Sequence, residues 1–398
     1  MKKHISLIGG LLISTILIGC SETKVLDENT KDNISEKYII TERNIENTDK
    51  EHLFIPLFYD VDTVYGTMSP YKEADFDKFA IPYYIDIEGN IKKVEDDKFT
   101  DIELDFIKEN NGFRKQQGIY TIDSNKLNDR KYYYMDVVDK IRFELKDFEF
   151  NENKIVNNFT KVAKYRDKIS DNYYIIQYLS IDEDEIIEAR DFIIIDLNNE
   201  KYYINNNEKK VTNFYYDDSL DSIIAIDEVG KMYKLKFDEN NITFEDYKTI
   251  KTDKVNLYDR ESFLISKLSN NKLLIKVKNT ESKEYMDYFN AIYDIDTEDV
   301  IYFDKEKTIS AQLKNTNFYF ISYKDEEYLG EVTEDGNINL IYKLNSNDGY
   351  RFSSPITNKE GNKVFLTGIK ASEEFDKNSN KNIVIEDIKY SILEIQER

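Results

Sequence analysis

Several residue types are scarce in this chain of 398 residues, which has 1 Cys, 2 His, 4 Pro, 13 Gly and no Trp. A single Cys excludes an internal disulfide framework and a Cys-rich zinc site. Two His, one of them His4, leave little for histidine catalysis, and the other is His52. No Walker loop, Gly-x-Gly-x-x-Gly, Gly-x-Ser-x-Gly or His-Glu-x-x-His motif occurs.

Positive charge is also in deficit, because 55 Lys and Arg face 78 Asp and Glu, a net charge of −23. Nucleic acid is therefore excluded as an expected partner, since phosphates are bound by clustered Lys and Arg. The chain is nevertheless 40% apolar and 14% aromatic, which is too much for a disordered protein.

The N-terminus has the pattern of a secretory signal peptide. Lys2 and Lys3 precede Ile5 to Ile18, an uncharged run of 14 residues. At about 1.5 Å per residue this run is too short to cross a bilayer core of roughly 30 Å as a helix. Its length and basic start are those of the apolar region of a signal peptide.

The run ends in Leu17-Ile18-Gly19-Cys20, which resembles the lipobox of bacterial lipoproteins. The resemblance implies that Cys20 receives a diacylglyceryl group and becomes the mature N-terminus. It also implies that the protein is held at the outer face of the cell membrane, because two acyl chains anchor a protein stably whereas one binds only marginally. Removing residues 1–19 leaves 53 basic and 78 acidic residues, a net charge of −25. The Ile-, Lys-, Asn- and Tyr-rich composition resembles that of lipoproteins from low-G+C Gram-positive bacteria.

The mature chain divides by composition into two parts. Residues 20–50 are polar and mixed in charge, which predicts a flexible tether. Residues 51–398 carry short runs of Ile, Val, Tyr and Phe between clusters of Asp, Asn and Lys, which predicts a β-rich globular domain.

A unit of apolar strand, acidic turn and second strand recurs along this domain, as in Ile194-Ile195-Asp196 and Ile224-Ala225-Ile226-Asp227. The turn acids chosen to mark it are Asp86, Asp136, Asp196, Asp227, Asp296 and Asp335. Their spacing averages about 50 residues, which is close to the length of a propeller blade, about 40–50 residues. The expected fold is mainly β, a β-propeller-like repeat of about six to eight blades.

Two segments predict helical insertions. A capping box and a stop signal bound residues 101–110, and apolar residues at helical spacing mark 155–169. They keep an α+β fold, or two smaller β domains, open as alternatives.

Partial motifs point to no defined chemistry. Two sequence elements of the penicillin-binding serine enzymes have matches here, at Ser69-Pro70-Tyr71-Lys72 and Ser170-Asp171-Asn172. The third element, Lys-Thr-Gly, is absent, and its nearest match is Leu366-Thr367-Gly368, which lacks the Lys. The acidic runs 182–185 and 294–299 offer oxygen ligands for Ca²⁺, although a solvated acidic turn explains both. No catalytic, cofactor-binding or metal-binding residue is therefore assigned, and no cofactor is expected.

Tandem tyrosines recur at 83–84, 132–134, 173–174, 202–203 and 215–216. Neighbours in a strand point to opposite faces, so one ring of each pair faces the core. The other ring either binds a sugar or a protein partner or packs between neighbouring sheets.

The expected function is lipid-anchored, non-catalytic binding or scaffolding outside the cell. Its partners are then the membrane, through the lipid on Cys20, and an envelope protein or glycan. Two alternatives remain: a carboxylate-based hydrolase of envelope glycans, since such catalysis needs only two suitably placed acids, and a solute-binding lipoprotein of a transporter.

Overall fold

A computed structural model of the protein describes residues 36–46, 52–60, 62–70, 81–86, 88–94, 117–122, 131–136, 141–146, 154–162, 173–182, 185–205, 209–258, 263–281, 288–313, 316–324, 326–344, 349–375 and 381–398. Every element of regular structure in these ranges is a β-strand. Among the same residues, no helix has the length and apolar character needed to cross a membrane.

The strands follow one another as short antiparallel meanders, here called blades 1 to 7. Blade 1 contains β2 (His52–Asp60), β3 (Thr63–Pro70), β4 (Ile81–Ile85) and β5 (Ile91–Lys93). Blade 2 contains β6 (Gln117–Ile122), β7 (Lys131–Asp136) and β8 (Ile141–Glu144). Blade 3 contains β9 (Lys154–Val162), β10 (Tyr173–Asp182), β11 (Glu185–Asp196) and β12 (Lys201–Ile204).

The later blades repeat the same order of strands. Blade 4 contains β13 (Val211–Asp217), β14 (Ser222–Asp227), β15 (Lys231–Asp238) and β16 (Asn241–Thr249). Blade 5 contains β17 (Leu264–Lys267), β18 (Lys272–Lys278), β19 (Tyr288–Asp294) and β20 (Val300–Tyr302). Blade 6 contains β21 (Lys307–Gln312), β22 (Phe318–Tyr323), β23 (Glu326–Val332) and β24 (Ile338–Lys343). Blade 7 contains β25 (Arg351–Thr357), β26 (Lys363–Phe375), β27 (Lys381–Glu397) and β1 (Tyr38–Glu46).

Blades 3 and 4 form one eight-stranded sheet, but they join through a single parallel pair, Ile204 with Asn241. Each half keeps its own four-stranded meander. The described residues therefore form a β-propeller-like repeat of seven blades, which confirms the fold class expected from the sequence.

The chain divides into two compact units. Unit 1 comprises Met1–Arg114, Leu313–Thr316 and Leu340–Arg398, and unit 2 comprises Lys115–Gln312 and Asn317–Asn339. In unit 2 the first strands of successive blades, β9, β13, β17 and β21, contact one another in series. In unit 1 the first strands β2 and β25 contact each other.

Blade 7 takes its fourth strand from the other end of the sequence. β1 pairs antiparallel with β27 over nine residues, from Tyr38 opposite Glu397 to Glu46 opposite Lys389. Ile40 and Ile45 are buried, and the buried carboxylate of Glu42 accepts hydrogen bonds from Tyr342 and Ser391. The predicted tether of residues 20–50 is therefore wrong for 38–46, because its pairing partner lies more than 300 residues away and local composition does not show it.

Side chains from one blade satisfy the open edge of the first strand in the next blade. These strands have a hydrogen-bonded neighbour on one side only, so their outward backbone N–H groups need other acceptors. The bonds run from Phe54 N–H to the Tyr390 hydroxyl (2.8 Å), from Leu264 N–H to Asn213 Oδ1 (3.0 Å) and from Ile309 N–H to Asn290 Oδ1 (2.8 Å).

In unit 2, hydrophobic cores lie between blades 2 and 3, 3 and 4, and 4 and 5, so both faces of a strand such as β11 are buried. Phe192 and Ile194 pack into a core with blade 4, whereas Ile193 and Ile195 pack into a core with blade 2. The tandem tyrosines follow this alternation: Tyr202 and Tyr203 enter opposite cores, as do Tyr215 and Tyr216. Both rings of these two pairs therefore pack between sheets.

The acids that mark the repeat close hairpin turns. Asp196 Oδ1 accepts the N–H groups of Asn198 and Asn199, and Asp86 Oδ1 accepts that of Asn90 at 2.8 Å. In two copies the residue at this place is not the one chosen from the sequence. Asp294, not Asp296, closes the turn after β19. In the turn after β23 the hydroxyl of Thr333, not Asp335, accepts the Asn337 N–H.

The helix predicted at 155–169 is wrong over its first half, because residues 154–162 form β9. Val162 lies opposite Tyr173 and Phe159 opposite Ile176 in the ladder with β10. β10 is rich in β-branched and aromatic residues, which favour a strand. Pairing with β10 therefore decides the structure of 154–162, although four apolar residues within 155–169 have helical spacing. The second predicted helix, 101–110, lies outside the described residues.

Candidate functional site

A solvent-open cleft of about 410 Å³ lies in unit 2, beside the last residues of β16. Lys231 at the start of β15 and the stretch 246–251 form one wall, and the turn after β19 forms the other. Its nine lining residues are Lys231, Asp246, Tyr247, Lys248, Thr249, Lys251, Ile295, Asp296 and Glu298.

The first wall is fixed by the hairpin that carries Lys231. Asp227 Oδ1 accepts the Lys231 N–H at 2.8 Å, and the Gly230 carbonyl accepts the Ile250 N–H at 2.8 Å. Gly230 has φ +86°, and a Cβ there would lie 3.0 Å from both Ile250 Cβ and Leu257 Cδ1. Only glycine therefore allows this close approach of the turn to the end of β16.

The opposite wall is fixed by Asp294, which is 8% exposed. Its Oδ1 accepts the N–H groups of Asp296 (2.9 Å) and Thr297 (3.0 Å), and its Oδ2 accepts Asn271 Nδ2 (3.0 Å). Burial alone would raise the pKa of Asp294, but the two backbone hydrogen bonds outweigh it and lower that pKa. The turn is thereby a rigid frame for Asp296 and Glu298.

Two ion pairs cross the cleft. Lys248 donates a hydrogen bond to Asp296, and Lys251 Nζ lies 3.8 Å from Glu298 Oε1. Burial alone would lower the pKa of Lys248, but the hydrogen bonds and electrostatic interactions with Asp296 and Tyr247 together outweigh burial and raise that pKa. The two walls are thus joined by opposite charges.

A third pair lies within the first wall, where Lys231 Nζ donates to Asp246 Oδ2 at 2.9 Å. This hydrogen bond is the main cause of the lowered pKa of Asp246. The cleft therefore holds three ammonium groups and three carboxylates, each within reach of an opposite charge.

Tyr247 and Ile295 provide the apolar part of the cleft. Tyr247 is half-buried against the core between blades 4 and 5, and Ile295 belongs to that core. Lys248 and Lys234 place their ammonium groups 5.2 Å and 4.9 Å from the centre of the Tyr247 ring. The Tyr293 hydroxyl accepts the Lys251 N–H at 2.8 Å, which holds the backbone at the rim.

The charged lining of the cleft can recognise a ligand by its charge. The lining contains no His, Cys or Ser. A carboxyl group that donates a proton to a glycosidic oxygen needs a raised pKa, whereas the pKa of Asp246 is lowered. Within the described residues, no group of three His, Cys, Asp or Glu side chains could hold a metal ion.

The sequence drew attention to part of this site for a different reason. The acidic run 294–299 was considered as a calcium loop, but Asp294 closes its own turn while Asp296 and Glu298 pair with lysines. The lysines were missed, because Lys248 and Asp296 are 48 positions apart and nothing local distinguishes this lysine from others.

The remaining sequence candidates lie only partly within the residues that the structure describes. Ser69 lies in β3 and Thr367 in β26, and His52 is the first residue of β2. Cys20, Lys72, residues 170–172 and Glu183-Asp184 lie outside the described residues.

A second polar cluster lies where β13 and β17 end. Lys267, 7% exposed, donates to the Tyr216 carbonyl at 3.1 Å. Its Nζ is 3.9 Å from Asp217 Oδ1 and 3.8 Å from Asp218 Oδ2. Asp217, 1% exposed, also accepts hydrogen bonds from Ser219, so this cluster is buried structure.

No protein-family model and no curated protein matches the sequence. Among solved structures, the β-propeller domain of the Trilobed protease from Pyrococcus furiosus is 11% identical, with 86% of this chain and 96% of that chain covered and a TM-score of 0.40. Pyrococcus horikoshii acylaminoacyl peptidase is 12% identical, with 85% of this chain and 52% of that chain covered and a TM-score of 0.41. Vibrio parahaemolyticus oligogalacturonate lyase is 10% identical, with 91% and 95% covered and a TM-score of 0.38. Similarity at this level assigns no activity to the chain.

Proposed function

We propose that the protein is a lipid-anchored binding protein at the outer face of the cell membrane, and that the cleft of unit 2 is its binding site. The observation that carries the binding role is the set of three lysine–carboxylate pairs around an open cleft on a rigid β frame. Paired charges at fixed positions select a ligand by charge.

The anchor in this proposal rests on Leu17-Ile18-Gly19-Cys20 and the basic, apolar run before it. Lipidated Cys20 would stand 18 positions before Tyr38, the first residue of β1. A fully extended chain spans at most about 3.6 Å per residue, so the segment between them could reach roughly 65 Å from the membrane. The blades would then stand close to the envelope layers outside the membrane.

In-cell crosslinking tests the binding role. A photo-reactive amino acid replaces Thr249 at the cleft, and a matched variant carries it at Thr243, an exposed position on the same strand outside the cleft. The expected result is an envelope protein or glycan captured from position 249 and not from 243. Equal capture from both positions, or turnover of a cell-wall glycan by the purified chain, would contradict the proposal.

Fractionation tests the anchor. The wild-type chain is expected in the membrane fraction with a lipid-modified N-terminal peptide by mass spectrometry, and Cys20→Ser is expected to leave that fraction. Retention of the unmodified variant on membranes would reject the anchor and leave the cleft unaffected.

A further inference from the structure

The cleft is electrically neutral within a strongly acidic chain. Lys231, Lys248 and Lys251 balance Asp246, Asp296 and Glu298, whereas the whole sequence carries −23. An anionic polymer would be repelled by the field of the chain and find no net positive charge in the cleft. A cationic polymer would be attracted to the chain in general, with no preference for this place.

The ion pairs of the cleft are inexpensive to open. Lys251 and Glu298 are 50% and 41% exposed, and Lys231 and Asp246 are 40% and 68% exposed. Pairs this exposed contribute little to stability, because water and salt screen their charges. A ligand that carries both charges can therefore replace a pair, its carboxylate on the lysine and its ammonium on the acid, and every charge keeps a partner.

The size of the cleft limits the ligand. A volume of about 410 Å³ lies in the lower half of the roughly 300–1,000 Å³ range of small-molecule sites. Tyr247 and Ile295 offer a small apolar contact between the charged groups. A compact ligand with charged ends and an apolar middle matches this arrangement.

We propose that the cleft binds a small zwitterionic ligand of the amino-acid or short-peptide class, through Lys251 and Glu298 for its ends and Tyr247 for its side chain. This inference rests on the proposed binding function and names the ligand class for the same site.

Titration calorimetry with the full chain tests it, using the tripeptide Gly-Leu-Gly and its N-acetylated, C-amidated analogue. The free tripeptide carries both terminal charges, and the analogue carries none. We expect the free tripeptide to bind at least tenfold more tightly, and its affinity to fall several-fold between 0.05 and 0.5 M salt because exposed charges are screened.

Conservative variants locate the site. Lys251→Gln and Glu298→Gln are each expected to weaken tripeptide binding at least tenfold without changing the circular dichroism spectrum. The matched control is Lys236→Gln, which opens an exposed pair between Lys236 of β15 and Glu245 of β16, outside the cleft. It should leave the affinity unchanged.

Equal affinity for the neutral analogue, an equal loss in Lys236→Gln, or no tripeptide binding at all would overturn the ligand class. If position 249 still captures an envelope partner in that case, the binding function stands with another ligand. If it captures nothing, the proposed function fails as well.

Discussion

Removing one oxygen atom from Tyr390 tests how the blades are held together. Tyr390 is fully buried in β27, and its hydroxyl accepts the N–H of Phe54, also fully buried, at 2.8 Å. In Tyr390→Phe the ring remains, with its contacts to Phe54 (centroids 6.0 Å apart) and Phe365 (5.8 Å). The substitution therefore removes a hydrogen-bond acceptor and leaves almost no cavity.

The cost follows from the backbone group left behind. β2 pairs only with β3 in the described sheet, so no strand accepts the Phe54 N–H in place of the hydroxyl. A buried donor without a partner costs about 1–3 kcal/mol. At about 1.4 kcal/mol per factor of ten, this is roughly a 5- to 150-fold change in an opening equilibrium.

Urea unfolding and hydrogen exchange measure the effect. We expect a lower urea midpoint with an unchanged slope, and faster exchange in a peptide covering 52–60 by the factor above. Tyr302→Phe is the control, because Tyr302 is 48% exposed and its hydroxyl donates to the Lys254 carbonyl at the surface. A loss in Tyr390→Phe no larger than in Tyr302→Phe, or unchanged exchange in 52–60, would refute the reasoning.

Three further perturbations test other parts of the fold. Lys267→Met should lower the unfolding free energy by roughly 3 kcal/mol, because it leaves the Asp217 carboxylate buried without its cation. Adding Asp217→Asn should restore at least half of that loss in a double-mutant cycle measured by chemical denaturation. Burial alone would raise the pKa of Asp86, but hydrogen bonds from Lys92 and Asn90 lower it from 3.8 to about 2. Asp86 therefore stabilises the fold above about pH 4 and loses that effect as the pH falls towards 2. After allowance for solvent screening, Asp86→Ala should lower the unfolding free energy by about 1 kcal/mol at pH 7. It should lower it little at pH 2, and urea titrations at the two pH values measure the difference. Glu239 is exposed with φ +51°, so Glu239→Gly should raise the unfolding free energy by about 0.5–1 kcal/mol, and a lower melting temperature would contradict this.

Local chemistry was enough to predict the β class, the hairpins and a range of about six to eight blades. Ile194-Ile195-Asp196 shows why: β-branched residues favour an extended strand, and the carboxylate that follows accepts N–H groups of the turn. The same logic failed by two residues at Asp296, because every acid in Asp294-Ile295-Asp296 looks equally suited to close a turn until the strand end is known.

The anchor and its lipid are still predictions from Leu17-Ile18-Gly19-Cys20, which lie outside the described residues. The cleft could not be predicted, because its two cross-cleft pairs join residues 48 and 47 positions apart and the acidic chain offers many alternative partners for each lysine. The sequence alone showed an acidic turn at 294–299 and could not show what faces it.

By itself the sequence determined the β class and the hairpin turns at Asp86, Asp196 and Asp227, since these depend on backbone preferences and on side chains a few positions away. Tertiary structure decided the rest. It recruited residues 38–46 to blade 7, made 154–162 a strand against its helical spacing, and buried both rings of Tyr215-Tyr216 by packing a blade on each face. Each of these outcomes depends on a partner far away in the sequence, and only the folded chain brings that partner into contact.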